Sequence, residues 1–181
     1  MFKFKCYLNI SKSVVLTALC WLLVFSQCTT YDREAIKAIE TLEVKLQDNS
    51  KNLRLDIDLI TNRIENIERT LKRYKNRYKE TFTERLGTQL SQFKIHKKIY
   101  TKQIAEYEFC VREQVALKEQ LDNLRKDVIS NKLNHEQFKA YFKVEKEDVQ
   151  HLINKSKNIK KTLYEIEPDY LKLNKALDIK R

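Results

Sequence analysis

Histidine, cysteine and glycine build most catalytic and metal centres, and this chain has few of them. Its three histidines, His96, His135 and His151, form no HExxH pattern and no other pair at ligand spacing. Glu147 lies four residues before His151, a spacing that on a helix usually gives a surface contact. A chain with one glycine has neither the glycine-rich loop that cradles phosphates nor the GxSxG nucleophile elbow. We therefore expect a protein that is not an enzyme and that holds no metal and no cofactor.

Positive charge is the sharpest local feature of the sequence. Ten basic and two acidic residues lie between Lys72 and Lys102, which gives this stretch a formal charge of +8. Aromatic residues are interleaved with the bases, a combination that suits a phosphate backbone or an anionic lipid surface. The competing interpretation is that the aromatics are core residues and the bases form a solvated face. The candidate anion-binding residues are Lys72, Arg73, Lys75, Arg77, Lys79, Lys94, Lys97 and Lys98.

The composition predicts long helices to carry these residues. Only one glycine and one proline occur among 181 residues, whereas a fold of many short elements needs both types in its turns. Charged residues make up 34% and hydrophobic residues 42% of the chain, which suits helices with a narrow apolar seam. The predicted fold is all-α, a coiled-coil hairpin or an elongated three-helix bundle that follows an N-terminal signal or anchor segment.

A heptad repeat defines the seam of the first helical segment, and it predicts packing against another helix. Between Leu53 and Tyr78 every a and d position is apolar or aromatic. Isoleucine at both positions leaves the number of packed helices open. The a positions are Ile36, Glu43, Ser50, Ile57, Ile64, Leu71 and Tyr78, and the d positions are Ile39, Leu46, Leu53, Ile60, Ile67 and Tyr74.

Helix boundaries follow from the few breaking residues. Gly87 is predicted to end the first helix with Thr88 capping the next, although one continuous helix through Gly87 stays open. Asn134 and Gln137 have the spacing of a capping box, and Pro168 is predicted to end a helix. The predicted helices are residues 33–86, 88–129, 134–167 and a short tail helix, 169–179, all within one domain over residues 29–181.

Residues 1–28 have the pattern of an export signal. Three lysines and no acid precede an apolar run over residues 14–25, and polar residues follow it. Cys28 lies directly after this run, with Gln27 before it. That placement resembles the lipobox of bacterial lipoproteins, and the resemblance covers residues 1–28 only. It implies lipidation of Cys28, while an uncleaved anchor and plain secretion remain the alternatives.

Cys110 is then the last thiol of the mature chain. It adjoins Val111 of the predicted seam, so it is either a buried free thiol, which the sequence favours, or the site of an intermolecular disulfide.

These features predict an envelope-associated coiled-coil protein whose body is membrane-anchored or exported. It is expected to be a small lipoprotein that acts as a structural or protein-interaction module. Its expected partners are the membrane, through the N-terminal segment, and a protein or a second copy, through the seam. The alternative is a module that binds an anionic ligand through residues 72–102, with lipid favoured over nucleic acid. An anchor joined to a coiled coil is also similar to phage spanins and helical pore-formers.

Overall fold

The structure, a computed structural model, describes residues 32–77 and 83–178, and within these ranges it contains four helices and no strand. The longest helix has 46 residues, which corresponds to about 69 Å at the rise of an α-helix. The predicted all-α class is confirmed. The helices are α1 (residues 32–52), α2 (Ile57–Arg77), α3 (Glu84–Ile129) and α4 (His135–Asp178).

The first arm of the bundle consists of α1 and α2 in succession, and α3 packs antiparallel against it. Lys97 of α3 pairs with Glu68 of α2. Further along α3, Arg125 pairs with Glu43 of α1. Residue numbers therefore rise along α3 as they fall along the arm, and the chain reverses direction between α2 and α3.

The last helix, α4, runs parallel to the first arm and completes a three-helix bundle. Asn49 of α1 contacts Ser156, and Arg63 of α2 contacts Glu167, so residue numbers rise together along both. As a result, the start of α1 lies at the same end of the bundle as the turn between α3 and α4. The connection between α2 and α3 lies at the opposite end.

The first arm is broken, so the prediction of one helix over residues 33–86 is wrong. Four residues between α1 and α2 are not helical. Aspartate is a poor interior residue and a good N-cap, and the Asp56 carboxylate accepts a hydrogen bond from the Leu59 N–H at 2.9 Å. The seam nevertheless keeps its phase, because Leu53 and Ile60, seven residues apart, are both buried.

The reversal precedes Gly87, so the prediction that this glycine ends one helix and Thr88 caps the next is wrong. Thr83 is the N-cap of α3, and its hydroxyl accepts a hydrogen bond from the Leu86 N–H at 3.4 Å. The Gly87 N–H donates to the Thr83 carbonyl at 2.9 Å within the first turn of α3. Threonine is a strong capping residue, whereas an interior glycine costs only about 1 kcal/mol.

The turn between α3 and α4 follows the prediction. The Gln137 N–H donates to the Asn134 side chain at 2.9 Å, and the Asn134 N–H donates to the Gln137 side chain at 3.0 Å. This reciprocal pair is the predicted capping box. On the other side of the turn, Asn131 has a φ of 53°, and the N–H of Lys132 donates to the Asp127 carbonyl. These contacts form a Schellman motif that closes α3.

Pro168 lies inside α4, so the prediction that it ends a helix is wrong. Helix α4 continues to Asp178, and the predicted helices over 134–167 and 169–179 are one helix. Residues on both sides of the proline are held by the rest of the bundle. Glu167 pairs with Arg63, and the side chain of Tyr170 is buried. These contacts offset the hydrogen bond that proline removes.

The core consists of two apolar clusters along the bundle. One surrounds residues such as Ile39, Leu121 and Leu152, and the other contains Phe93 and Tyr170. All predicted d positions of the seam within the described residues are buried, whereas the predicted a positions Ile36, Ile57, Ile64 and Leu71 are half-buried. The seam therefore packs against α3 and α4 of the same chain. Self-association through it stays a prediction, and a second copy would compete with these helices.

Candidate anion-binding surface

The predicted anion-binding residues do not share one environment. Lys72 and Lys75 of α2 and Lys94 and Lys98 of α3 are exposed. Within the described part of the chain, these four lysines take part in no ion pair and no hydrogen bond. Lys79 lies outside the described residues. We call the surface formed by Lys72, Lys75, Lys94 and Lys98, together with Arg77 and Arg85, which are also exposed, the basic hairpin surface.

Two of the predicted residues are committed to contacts within the bundle. Lys97 donates its Nζ to Glu68 at 2.6 Å, which links α3 to α2. A guanidinium nitrogen of Arg73 lies 3.5 Å from a carboxylate oxygen of Asp178. The same guanidinium lies 5.6 Å from the centre of the Tyr74 ring. Because an ion pair offsets charge locally, Lys97 and Arg73 contribute less to the attraction of an external anion than the exposed lysines do.

The interleaved aromatics are core residues. Tyr74, Phe93 and Tyr100 are each at most 2% exposed, so their rings are unavailable for stacking on a nucleobase. The Tyr74 hydroxyl donates to the Leu177 carbonyl at 2.8 Å, which ties α2 to the end of α4. The competing interpretation is therefore correct for these three aromatics. These three rings are therefore not available to contact an anion on this surface.

A polar network joins α2, α3 and α4. Arg63 of α2 donates to one oxygen of Glu167 at 2.8 Å, and the Tyr100 hydroxyl of α3 donates to the other at 2.8 Å. The Arg63 guanidinium also lies 4.8 Å from the centre of the Tyr170 ring. Burial and the bond to Glu167 raise the pKa of Tyr100, so its hydroxyl stays protonated and donates.

Tyr170 extends this network toward the end of α4. Its ring stacks on Phe93 with centroids 5.6 Å apart and meets the Tyr100 ring edge-on at 5.7 Å. Its hydroxyl accepts a hydrogen bond from Asn66 at 2.9 Å, and Asn66 also donates to Asn174 at 2.7 Å. The tyrosine thus fills the core with its ring and satisfies a polar side chain of α2 with its hydroxyl.

The sequence did not single out Arg63, Glu167 or Asn66. Arg63 and Asn66 lie outside the a and d positions of the predicted heptad, where polar residues are ordinary, so the heptad carries no signal for them. Their partners lie more than 60 residues away in the sequence, as for Glu167 and Tyr100. No local spacing reveals such a contact.

Cys110 is fully buried and free. Burial raises the pKa of its thiol, and a hydrogen bond with Ser156 opposes this rise. The Ser156 hydroxyl also accepts from Asn49 at 3.1 Å and donates to the Leu152 carbonyl at 2.9 Å. The favoured interpretation of a buried thiol is confirmed. An intermolecular disulfide at Cys110 would require the packing around this buried sulfur to open, and it stays a prediction.

Cys28 and the rest of residues 1–31 lie outside the described residues. In the described ranges, no helix is both long and apolar enough to cross a membrane. The same ranges contain no group of three or more histidine, cysteine or acidic side chains that could hold a metal ion.

Comparisons of the chain with protein-family models, with curated proteins and with solved structures give no match.

Proposed function

We propose that this chain is a membrane-tethered helical rod that serves as a structural or protein-interaction module of a bacterial cell envelope. In this proposal residues 1–28 deliver and attach the chain, and the three-helix bundle is the working part. Lipidation at Cys28 is the proposed mode of attachment. A stable anchor of this kind needs more than one acyl chain, because a single chain binds a membrane only marginally.

The observation that supports the proposal is how close in the sequence the N-terminal segment lies to the start of the bundle. The basic stretch and the apolar run end only a few residues before the start of α1. The bundle that follows is held together along its length by apolar clusters and by polar contacts of α4 with α1, α2 and α3. A short connection between an anchor and a stiff rod would hold the far end of the rod at a distance of about 69 Å, the length of α3.

Metabolic labelling with a palmitate analogue tests the mode of attachment. We expect a bacterial host that expresses the full chain to incorporate the label, and the Cys28→Ser variant to lose it. The Cys110→Ser variant is the matched control, since it removes a thiol but leaves the proposed acylation site, and it should label like the unaltered chain. Label that survives Cys28→Ser would reject lipidation at this residue and leave an uncleaved anchor or plain secretion.

Protein interaction is the second half of the proposal, and exposed apolar side chains support it. Val44 of α1 and Val115 of α3 are 56% and 67% exposed, and both line one groove between these helices. Crosslinking in cells through a photoreactive residue at position 115 would test it. A discrete crosslinked species that is absent when the same residue is placed at Lys143, an exposed position of α4, is the expected result.

A further inference from the structure

The basic hairpin surface differs from the rest of the described surface in how its charges are balanced. Exposed lysines elsewhere on the bundle are mixed with acidic residues: Lys126 pairs with Asp122 at 2.7 Å, and the unpaired Lys45 and Lys118 have acidic residues within three positions in the sequence. Lys72, Lys75, Lys94 and Lys98 also take part in no ion pair among the described residues, but they belong to a stretch, Lys72 to Lys102, that holds ten basic and only two acidic residues. Unpaired charges of one sign on adjacent helices attract counter-ions more strongly than an alternating surface does.

Helix stability accounts for only part of this pattern. Lys75 and Arg77 lie in the last turn of α2, where basic residues interact favourably with the helix dipole. Lys94 and Lys98 lie well inside α3 and gain nothing from either helix end. Arg85 lies in the first turn of α3, where a positive charge is unfavourable. The helix dipole therefore does not account for the basic residues of α3.

The position of this surface in the fold is the second observation. It lies at the end of the bundle where α2 connects to α3, and the start of α1 lies at the opposite end. A chain attached through residues 1–28 would thus present these lysines away from its attachment point.

The chemistry of the surface favours phospholipid headgroups over nucleic acid. Tyr74, Phe93 and Tyr100 are buried, so their rings cannot stack on the bases of a single-stranded nucleic acid. Such stacking contributes strongly to the binding of single strands. Four of its six basic residues are lysines, which act as point charges and suit a fluid layer of phosphates that needs no fixed geometry.

We propose that the basic hairpin surface binds the phosphate groups of an anionic phospholipid membrane. Each lysine near such a surface strengthens binding by about fivefold, so reversing four should weaken binding by at least about 100-fold. The proposal rests on the proposed function for the orientation of the rod. It does not rest on it for the binding itself, which depends only on the bundle.

The test uses the full chain held in phosphatidylcholine nanodiscs and measures its flotation with separate vesicles that contain phosphatidylglycerol. The main variant combines Lys72→Glu, Lys75→Glu, Lys94→Glu and Lys98→Glu. The matched control combines Lys45→Glu, Lys118→Glu, Lys143→Glu and Lys146→Glu, which changes the net charge equally at exposed positions. Circular dichroism and thermal unfolding establish that both variants are folded. If the chain stays soluble without nanodiscs, the tether proposal fails, and the free protein is used in the same flotation.

We expect the unaltered chain, with its N-terminal segment held in the nanodisc, to float with phosphatidylglycerol vesicles, not with pure phosphatidylcholine vesicles, and to be released at about 0.5 M salt. The main variant should lose binding, and the control variant should keep it within about threefold. Equal loss in both variants, or no loss in the main variant, would overturn the proposal. The proposal would also be overturned if the chain did not bind the vesicles but bound a single-stranded oligonucleotide in a parallel titration.

Discussion

The Tyr100 hydroxyl donates a hydrogen bond to a Glu167 carboxylate oxygen at 2.8 Å, across 67 residues of sequence. The other oxygen of Glu167 accepts from Arg63 at 2.8 Å. One carboxylate on α4 therefore holds both neighbouring helices, immediately before the proline that lies inside that helix. The contact therefore links α2, α3 and α4 through a single side chain.

Replacing Glu167 tests how much this contact stabilises the bundle. Glu167→Leu leaves the Arg63 guanidinium without its counter-ion in a partly buried site, and we expect a loss of about 2–3 kcal/mol in the free energy of unfolding. Tyr100→Phe removes one hydrogen bond and should cost about 1 kcal/mol. Chemical denaturation followed by circular dichroism measures both.

Glu165→Gln is the control for this pair, because Glu165 is exposed and lies 3.8 Å from Lys161 on the same helix. Its effect should stay within about 0.5 kcal/mol. Equal effects of the Glu165 and Glu167 substitutions would mean that the network contributes nothing beyond a surface ion pair.

Pro168→Ala should stabilise the protein. The proline nitrogen cannot donate to the carbonyl four residues earlier, and its ring crowds the preceding turn. Because α4 is continuous on both sides of this residue and Pro168 is exposed, alanine restores the hydrogen bond without disturbing the core. We expect a gain of about 1–3 kcal/mol in the free energy of unfolding. A loss of stability would contradict this expectation and would indicate that α4 needs a break at residue 168. Lys172→Ala, at an exposed position of the same helix, is the control and should leave the stability nearly unchanged.

We expect Glu145 to make the stability of the protein depend on pH. Burial raises the pKa of the Glu145 carboxyl, and the negative charge of Asp148 raises it further. The Oε2 atom of Glu145 is buried and has no hydrogen-bond partner among the described residues. The folded state therefore takes up this proton at a higher pH than the unfolded state. As pH rises from the unfolded pKa through the folded pKa, the contribution of this group to stability falls.

Glu145→Gln removes this dependence. We expect the variant to be more stable than the unaltered chain near neutral pH by about 0.5–1 kcal/mol, with the difference shrinking toward pH ~4.5. Thermal unfolding across this pH range measures the difference. The exposed Glu147→Gln serves as control, and an identical pH profile for both variants would contradict the assignment to Glu145.

Cys110 should be unreactive in the folded protein, because its thiol is buried and its pKa is raised by that burial. The chain has four cysteines, so the thiol count of the unaltered chain is compared with that of Cys110→Ser. The two counts should agree under native conditions and differ by one thiol in denaturant. A dimer on a non-reducing gel that disappears in Cys110→Ser would contradict the buried position.

Local patterns predicted those parts of the fold that local interactions determine. The d positions from Ile39 to Tyr74 are buried as the heptad requires, and the Asn134–Gln137 box forms because both partners lie within one helical turn. The break before α2 was missed because the apolar phase continues through it. The continuity of α4 through Pro168 was missed because it depends on contacts that are distant in sequence.

The sequence predicts that the candidate surface is basic, but it does not show which of its basic residues form ion pairs within the bundle. Runs of bases are visible in the sequence, and the fold leaves four of the predicted residues, Lys72, Lys75, Lys94 and Lys98, exposed. That Arg73 and Lys97 are paired depends on Asp178 and Glu68 of other helices. Only the packing of α2 between its neighbours determines those pairs.

The central claim, that residues 1–28 tether a helical rod to a membrane, is tested most directly by flotation of the full chain with neutral phosphatidylcholine vesicles. We expect the unaltered chain to float with the vesicles. A variant with Leu19→Arg and Leu22→Arg, which interrupts the apolar run over residues 14–25, should stay at the bottom of the gradient. Its helix content and unfolding temperature should be unchanged. Flotation of that variant, or an unaltered chain that stays at the bottom, would contradict the claim.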